Sequence, residues 1–196
     1  MKRLALAVIT LVLMLPNLSN ATLITSSIVS STGSFNNNAA LLNDGIIPVE
    51  STLWQAGTNV WWEDSFAPTF TLDFGDLYNL NDVLVSVDNN DSYEITWSDD
   101  LASWSNLFTI NSSYGEVTWG MDTFSTDILH SEYIADIDFT TVQARYLRIK
   151  AINGDFGISI GEFQAFGNKV SEVPEPSTLA IFALGMIGLA SRRFKK

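Results

Sequence analysis

The chain has 196 residues, ten of them basic and 22 acidic, with a formal net charge of −12 and no cysteine. So acidic a chain repels nucleic acid and anionic lipid, and it lacks the cationic footprint that phosphate binding requires. Without cysteine there is no disulfide, thiol chemistry or thiolate metal site, so the fold is held by its own core, with or without a metal to assist.

Residues 1–21 show three parts in a fixed order. Lys2 and Arg3 give a positive start, Leu4 to Leu15 is apolar, and Ser19-Asn20-Ala21 places small residues at alternate positions. That is the layout of a secretory signal cut after Ala21. A buried N-terminal helix fits less well, because the run is short, is charged only at its start and breaks at Pro16. Six of the ten basic residues lie at the two ends (Lys2, Arg3, Arg192, Arg193, Lys195 and Lys196), leaving four against all 22 acidic ones between them. Such a middle suits divalent cations, neutral sugars or cationic partners, or is a plain solvated surface.

Residues 22–38, rich in Ser, Thr and Asn, predict a flexible or edge-strand segment with Leu23-Ile24 and Ile28-Val29 as anchors. Short alternating runs between turn residues follow. Phe70 to Phe74 closes on Gly75-Asp76, Val83 to Val87 on Asp88-Asn89-Asn90-Asp91, and Tyr93 to Trp97 on Ser98-Asp99-Asp100. Ile134 to Phe139, Tyr146 to Ile149 and Ile158 to Phe166 have the same pattern. Many short strands with few helical periods predict an all-β antiparallel sandwich over 39–168.

The order of these pieces resembles a discoidin (coagulation-factor C-type) domain. Leu42-Asn43-Asp44-Gly45, Ser51-Thr52-Leu53-Trp54 and Thr71 to Gly75 are similar to its opening. Tyr93 to Asp100 with Trp104 are similar to its central hairpin, and Ala144 to Ile149 and Ile158 to Gly167 to its closing strands. The resemblance implies a jelly roll of the galactose-binding type whose activity is binding, chiefly of sugars. It also implies a structural Ca²⁺ held by Asp44, Thr52 and Glu162 with carbonyls of the 43–51 loop, hard oxygen donors that suit that ion. The same residues equally make an ordinary turn and a surface charge. Asp88 to Asp91 also offers oxygens, but those residue types are expected in any turn.

A sugar site needs aromatic faces for C–H surfaces beside amides and carboxylates for hydroxyls. Trp61, Trp62, Tyr114, Trp119, Asp155 and Phe156 supply them from segments expected to be loops, although each is also an ordinary packing residue. If Trp61 and Trp62 lie on a strand they point to opposite faces, so at most one is core. Arg145 and Arg148 predict structural pairing with carboxylates. Catalysis has little to rest on: His130 is the only histidine, there is no Gly-x-Ser-x-Gly elbow, and Asp136 with Asp138 make at best a glycosidase-like pair on a strand face. The predicted protein is not an enzyme.

The C-terminus is a linker at 169–178 containing Pro174-Glu175-Pro176, an apolar stretch at 179–190, and a basic tail at 191–196. Twelve helical residues cover about 18 Å against a hydrocarbon core of about 30 Å, so the segment is a marginal membrane anchor with its basic cluster cytoplasmic. Pro-Glu-Pro, a short apolar helix and terminal basic residues resemble the PEP-CTERM sorting signal of Gram-negative bacteria. The resemblance implies an exosortase-type membrane protease as partner, transient inner-membrane attachment, and delivery to the cell surface or extracellular matrix, often beside exopolysaccharide production. The chain is thus expected to bind a glycan or exopolysaccharide, with a structural matrix protein lacking a small-ligand site as the alternative and a glycosidase as a more distant one.

Overall fold

The computed structural model describes residues 21–63 and 65–170. Residues 1–20 of the signal expected at 1–21, the Pro174-Glu175-Pro176 motif, the apolar stretch at 179–190 and the basic tail lie outside them. Among the described residues no helix is long and apolar enough to cross a membrane.

Nine strands follow in order: β1 (Thr22–Leu23), β2 (Ser27–Thr32), β3 (Val60–Glu63), β4 (Thr69–Asp88), β5 (Ser92–Ser98), β6 (Ser105–Ile110), β7 (Met121–Ser125), β8 (Val142–Asn153) and β9 (Gly157–Lys169). Every ladder between them is antiparallel. Two 3₁₀ turns, Ala39–Asn43 and Ala135–Ile137, complete the described secondary structure.

The long strand β4 organises the molecule. Its first part, Thr69–Asp73, lies between β2 and β8, and β5 and β6 continue that layer. Its second part lies between β9 and β7, with β1 and β3 on the far edge of β9. The register breaks between Asp73 and Tyr78, where Gly75 takes φ 78° and donates its N–H to Asp73 Oδ1 at 2.7 Å. A bulge of this kind bends the strand and lets one chain segment serve two layers.

Both parts of β4 supply the same core. Phe70 and Leu72 from the first and Val83, Val85 and Val87 from the second join Ile95, Leu147, Ile149, Ile160 and Phe163. Each such side chain, fully removed from water, contributes about 1.5–3 kcal/mol, and this core does the work without a disulfide. The predicted sandwich and its β5, β8 and β9 segments are present, and the edge anchors near Leu23 and Ile28 lie in β1 and β2.

Three expectations differ. The sequence predicts two strands separated at Gly75-Asp76, whereas β4 runs through them. It predicts a strand at 134–139, whereas Ala135–Ile137 is a 3₁₀ turn: Asp138 accepts from the Phe139 N–H and the Tyr133 hydroxyl, and such local bonds compete with a ladder. And it misses β3, β6 and β7, which are short and weakly alternating.

Candidate functional site

Turns and loops gather at one end of the sandwich. The β4–β5 turn follows Asp88, the β6–β7 loop follows Ile110, the β8–β9 turn follows Asn153, and the segment 46–59 leads into β3. Together they enclose a cleft of about 300 Å³. Leu53 and Trp54 line one side and Thr118, Trp119 and Gly120 another; Asp88, Asn89, Asn90 and Asp155 supply the polar groups.

Each wall is held by identifiable bonds. Asn59, fully buried, donates Nδ2 to the carbonyls of Leu53 and Trp54 at 3.1 and 3.3 Å and so fixes the Trp54 loop. The Trp54 ring lies on Gly157, where an added Cβ would come within 2.5 Å of Cε2, and meets Trp61 edge-on at 5.3 Å. Trp119 is 52 % exposed. Asn89 donates its side-chain amide to the Val117 carbonyl and its backbone N–H to Gly120 at 3.1 Å, which ties the β6–β7 loop to the β4–β5 turn. Asn90 Nδ2 donates to Asp155 Oδ2 at 2.8 Å, and Asp155 Oδ1 accepts from the Gly157 N–H at 2.7 Å.

The cleft is acidic, and burial governs its carboxyls. Asp88 is 3 % exposed; burial, with the charge of Asp155 adding, pushes its carboxyl up to about 6. Asp91 lies just beneath and is 1 % exposed; burial, with Asp88 adding, pushes it up to about 7. Two aromatic rings flanking a groove of carboxylates and amides can take the apolar face and hydroxyl edge of a polar ring-shaped ligand.

The predicted binding residues separate on this geometry. Trp119 and Asp155 line the cleft. Trp61 stands behind Trp54, and Phe156, 77 % exposed, adjoins Asp155 without lining the cleft. Tyr114 is half-buried and packs on the core. Trp62 is 1 % exposed, beside Phe70 at 5.8 Å, and donates Nε1 to the Ser65 carbonyl at 2.7 Å; it is a core residue and cannot meet a surface ligand. Alternation along β3 explains the pair, since only one of two adjacent Trp can face inward. Sequence reasoning missed Trp54 and Asp88 to Asn90 as cleft residues. Nothing local in the sequence says that the Trp54 loop and the polar turn after β4 meet.

The residues expected to hold Ca²⁺ are only partly together. Asp44 and Glu162 line a second cavity, about 190 Å³, with Asn43, Gly45 and Gln164 among its walls. Glu162 is fully buried. Its Oε1 accepts from the Gly45 N–H at 3.3 Å and from Gln164 Nε2 at 3.0 Å, while Oε2 has no hydrogen-bond partner. Burial, opposed by the Gln164 amide and reinforced by the charge of Asp44, pushes this carboxyl up to about 7. An orphaned buried carboxylate oxygen beside a second carboxylate fits a hard divalent cation. Thr52 does not line this cavity; its carbonyl accepts from the Met121 N–H at 2.9 Å on the edge of β7.

The residues considered for catalysis are otherwise engaged. His130 Nδ1 accepts from the Glu132 N–H at 3.1 Å within the β7–β8 loop, and Asp136 lies within a 3₁₀ turn that Asp138 caps, so the two do not share a strand face. Arg145 pairs with Asp73 through two bonds of 2.9 and 3.1 Å, and Arg148 lies 3.5 Å over the Trp104 ring. Glu50, Glu116 and Glu132 form an acidic patch whose carboxylates lie within 4.8 Å of one another.

By sequence, no curated protein matches the chain. Among solved structures it is similar to the C-terminal domain of a chitobiase from Bacteroides fragilis, with a TM-score of 0.52 and 14% identity over 78% of this chain and 100% of that one. It is also similar to a CBM32 domain of AlyQ in complex with 4,5-unsaturated mannuronic acid, with a TM-score of 0.49 and 20% identity over 71% of this chain and 95% of that one. A truncated AlyQ with CBM32 and alginate lyase domains has a TM-score of 0.48 and 18% identity; 78% of this chain is covered, but only 35% of that one. Residues 172–196 match the PEP-CTERM protein-sorting motif. The chain therefore carries a PEP-CTERM sorting motif behind an all-β antiparallel jelly roll.

Proposed function

We propose that this is an exported, non-catalytic cell-surface protein that binds carbohydrate in the cleft between Trp54 and Trp119, with exopolysaccharide as the class of glycan. The observation that carries the reading is the cleft itself: two aromatic side chains beside Asp88, Asn89, Asn90 and Asp155 in one groove. The sorting motif supports export and processing by an exosortase-type protease, with transient attachment to the inner membrane.

The topology supports display. β9 begins at the cleft with Gly157 and ends at Lys169, so its 13 residues carry the chain about 40 Å from the cleft before the sorting motif starts. A domain held by its C-terminus would present the cleft outward. Ca²⁺, if held, would sit at Asp44 and Glu162, where it would neutralise the buried carboxylate and brace the 44–48 loop on β9.

The test is a glycan array with the full chain, run with Ca²⁺ and with a chelator, beside the Trp54→Ala and Trp119→Ala variants. Binding to a defined glycan that either substitution abolishes is the expected result. A folded chain that binds nothing, or binds equally well in both variants, overturns the reading in favour of a structural matrix role.

A further inference from the structure

Beneath the cleft floor, a hydrogen-bond count requires a proton that no sequence motif announces. Tyr93 on β5 is fully buried, and its Oη lies 3.2 Å from Asp91 Oδ2 and 2.9 Å from the Ser159 carbonyl. A phenol has one proton, and a carbonyl can only accept. Burial, with the Asp91 and Asp88 charges adding, holds the Tyr93 hydroxyl well above the usual tyrosine range, so that proton stays on Oη. Both contacts are satisfied at once only when Tyr93 donates to Ser159 and Asp91, protonated at Oδ2, donates to Tyr93.

The other Asp91 oxygen acts on the cleft. Oδ1 accepts from the Asp155 N–H at 3.1 Å, and a Cβ at Gly154 would overlap it, so the β8–β9 turn is seated directly on this carboxyl. Asp155 in turn positions Asn90 and lines the cleft. The charged or titratable groups facing Asp91 are Asp88 from its own turn, Tyr93 from β5 and Asp155 from the β8–β9 turn; β9 offers the Ser159 carbonyl. The ion pairs among the described residues are Arg145–Asp73, Lys150–Glu94 and Lys169–Asp76, so none of these carboxyls has a cation against it.

We infer that Asp91 is a positioning residue for the cleft: it holds a proton in the folded protein, fixes the β8–β9 turn through Tyr93 and the Asp155 backbone, and releases that turn when it ionises. Ionised, Asp91 would offer a third negative charge beside Asp88 and Asp155 and would draw the Tyr93 proton away from Ser159. Ligand binding in the cleft is then strongest at mildly acidic pH. That last consequence rests on the proposed function; the proton on Asp91 does not.

The test is a pH titration of the full chain in chelator, following the Asp91 side-chain carbon and the Asp155 amide by NMR in the wild type and in Asp91→Asn. Asparagine keeps a donor for Tyr93 and an acceptor for Asp155 but cannot ionise. The expected result is an Asp91 midpoint near 7, tracked by the Asp155 amide, with the amide transition lost in the variant. Affinity for an array-identified glycan should fall roughly tenfold by pH 8, as the protonated fraction does, and stay level in Asp91→Asn. An Asp91 resonance already ionised at pH 5, or an Asp155 transition that persists in Asp91→Asn, overturns the inference. If no glycan binds, the proposed function fails, and the wild-type resonances still decide for or against the Asp91 proton.

Discussion

Ser86 on β4 and Glu162 on β9 stand directly opposite each other in the ladder, and each holds a buried side-chain oxygen with no hydrogen-bond partner. Orphaned oxygens on two facing residues are costly, at about 1–3 kcal/mol for each uncompensated group. The expectation is that Ca²⁺ raises the thermal midpoint of the chain relative to chelator, and that Glu162→Gln abolishes the rise. In chelator, Glu162→Gln should be at least as stable as the wild type, because it removes a buried acid. Differential scanning calorimetry with and without Ca²⁺ reads both effects; an equal Ca²⁺ response in wild type and variant would count against a cation at this place.

The two tryptophan populations should separate cleanly. Trp62→Ala empties a fully buried site and should cost about 3–5 kcal/mol, seen as a large drop in the denaturation midpoint. Trp119→Ala removes a half-exposed ring and should leave the midpoint within about 0.5 kcal/mol of wild type while abolishing glycan binding. Urea titration beside the array distinguishes them.

Gly157→Ala probes the aromatic wall without touching a polar group. The new methyl would collide with the Trp54 ring, which must swing away from β9. Affinity should fall by about tenfold or more with the fold retained, as read by titration calorimetry and by the near-ultraviolet signal of Trp54.

Stability should fall as pH rises from about 5 to about 8. Asp88 and Asp91 start from 3.8 in the unfolded chain and reach about 6 and about 7 in the fold, so the folded state binds the extra protons across this window. Stability declines wherever the folded state holds more protons than the unfolded one, here by on the order of 2–4 kcal/mol from Asp88 and Asp91, with Glu162, also pushed up to about 7, adding in the same direction. Asp91→Asn should flatten the upper part of the slope and be more stable than wild type at pH 8. A stability curve that rises from pH 5 to pH 8 would contradict the burial argument. The Asp73 carboxyl, held below its ordinary value by the Arg145 guanidinium, acts only at lower pH.

The order of segments and the fold class are legible in the residues alone. Alternation at Tyr93 to Trp97 is a local property of a strand with one buried face, so it is visible in the residues themselves. The sorting motif is likewise contiguous, and its recognition needs no fold. Which residues meet is set by contacts across the fold. Trp61 and Trp62 are chemically equal in the sequence, and the register of β3 against β9 sends Trp62 into the core and Trp61 toward Trp54. Gly45 and Glu162 are separated by 117 positions and meet, which brings Asp44 into the same cavity as Glu162, while Thr52 ends on another edge. The cleft, the orphaned Glu162 oxygen and the Asp91 proton all arise from contacts between distant segments. Burial and hydrogen-bond supply are properties of those contacts, and no local pattern of residue types contains them.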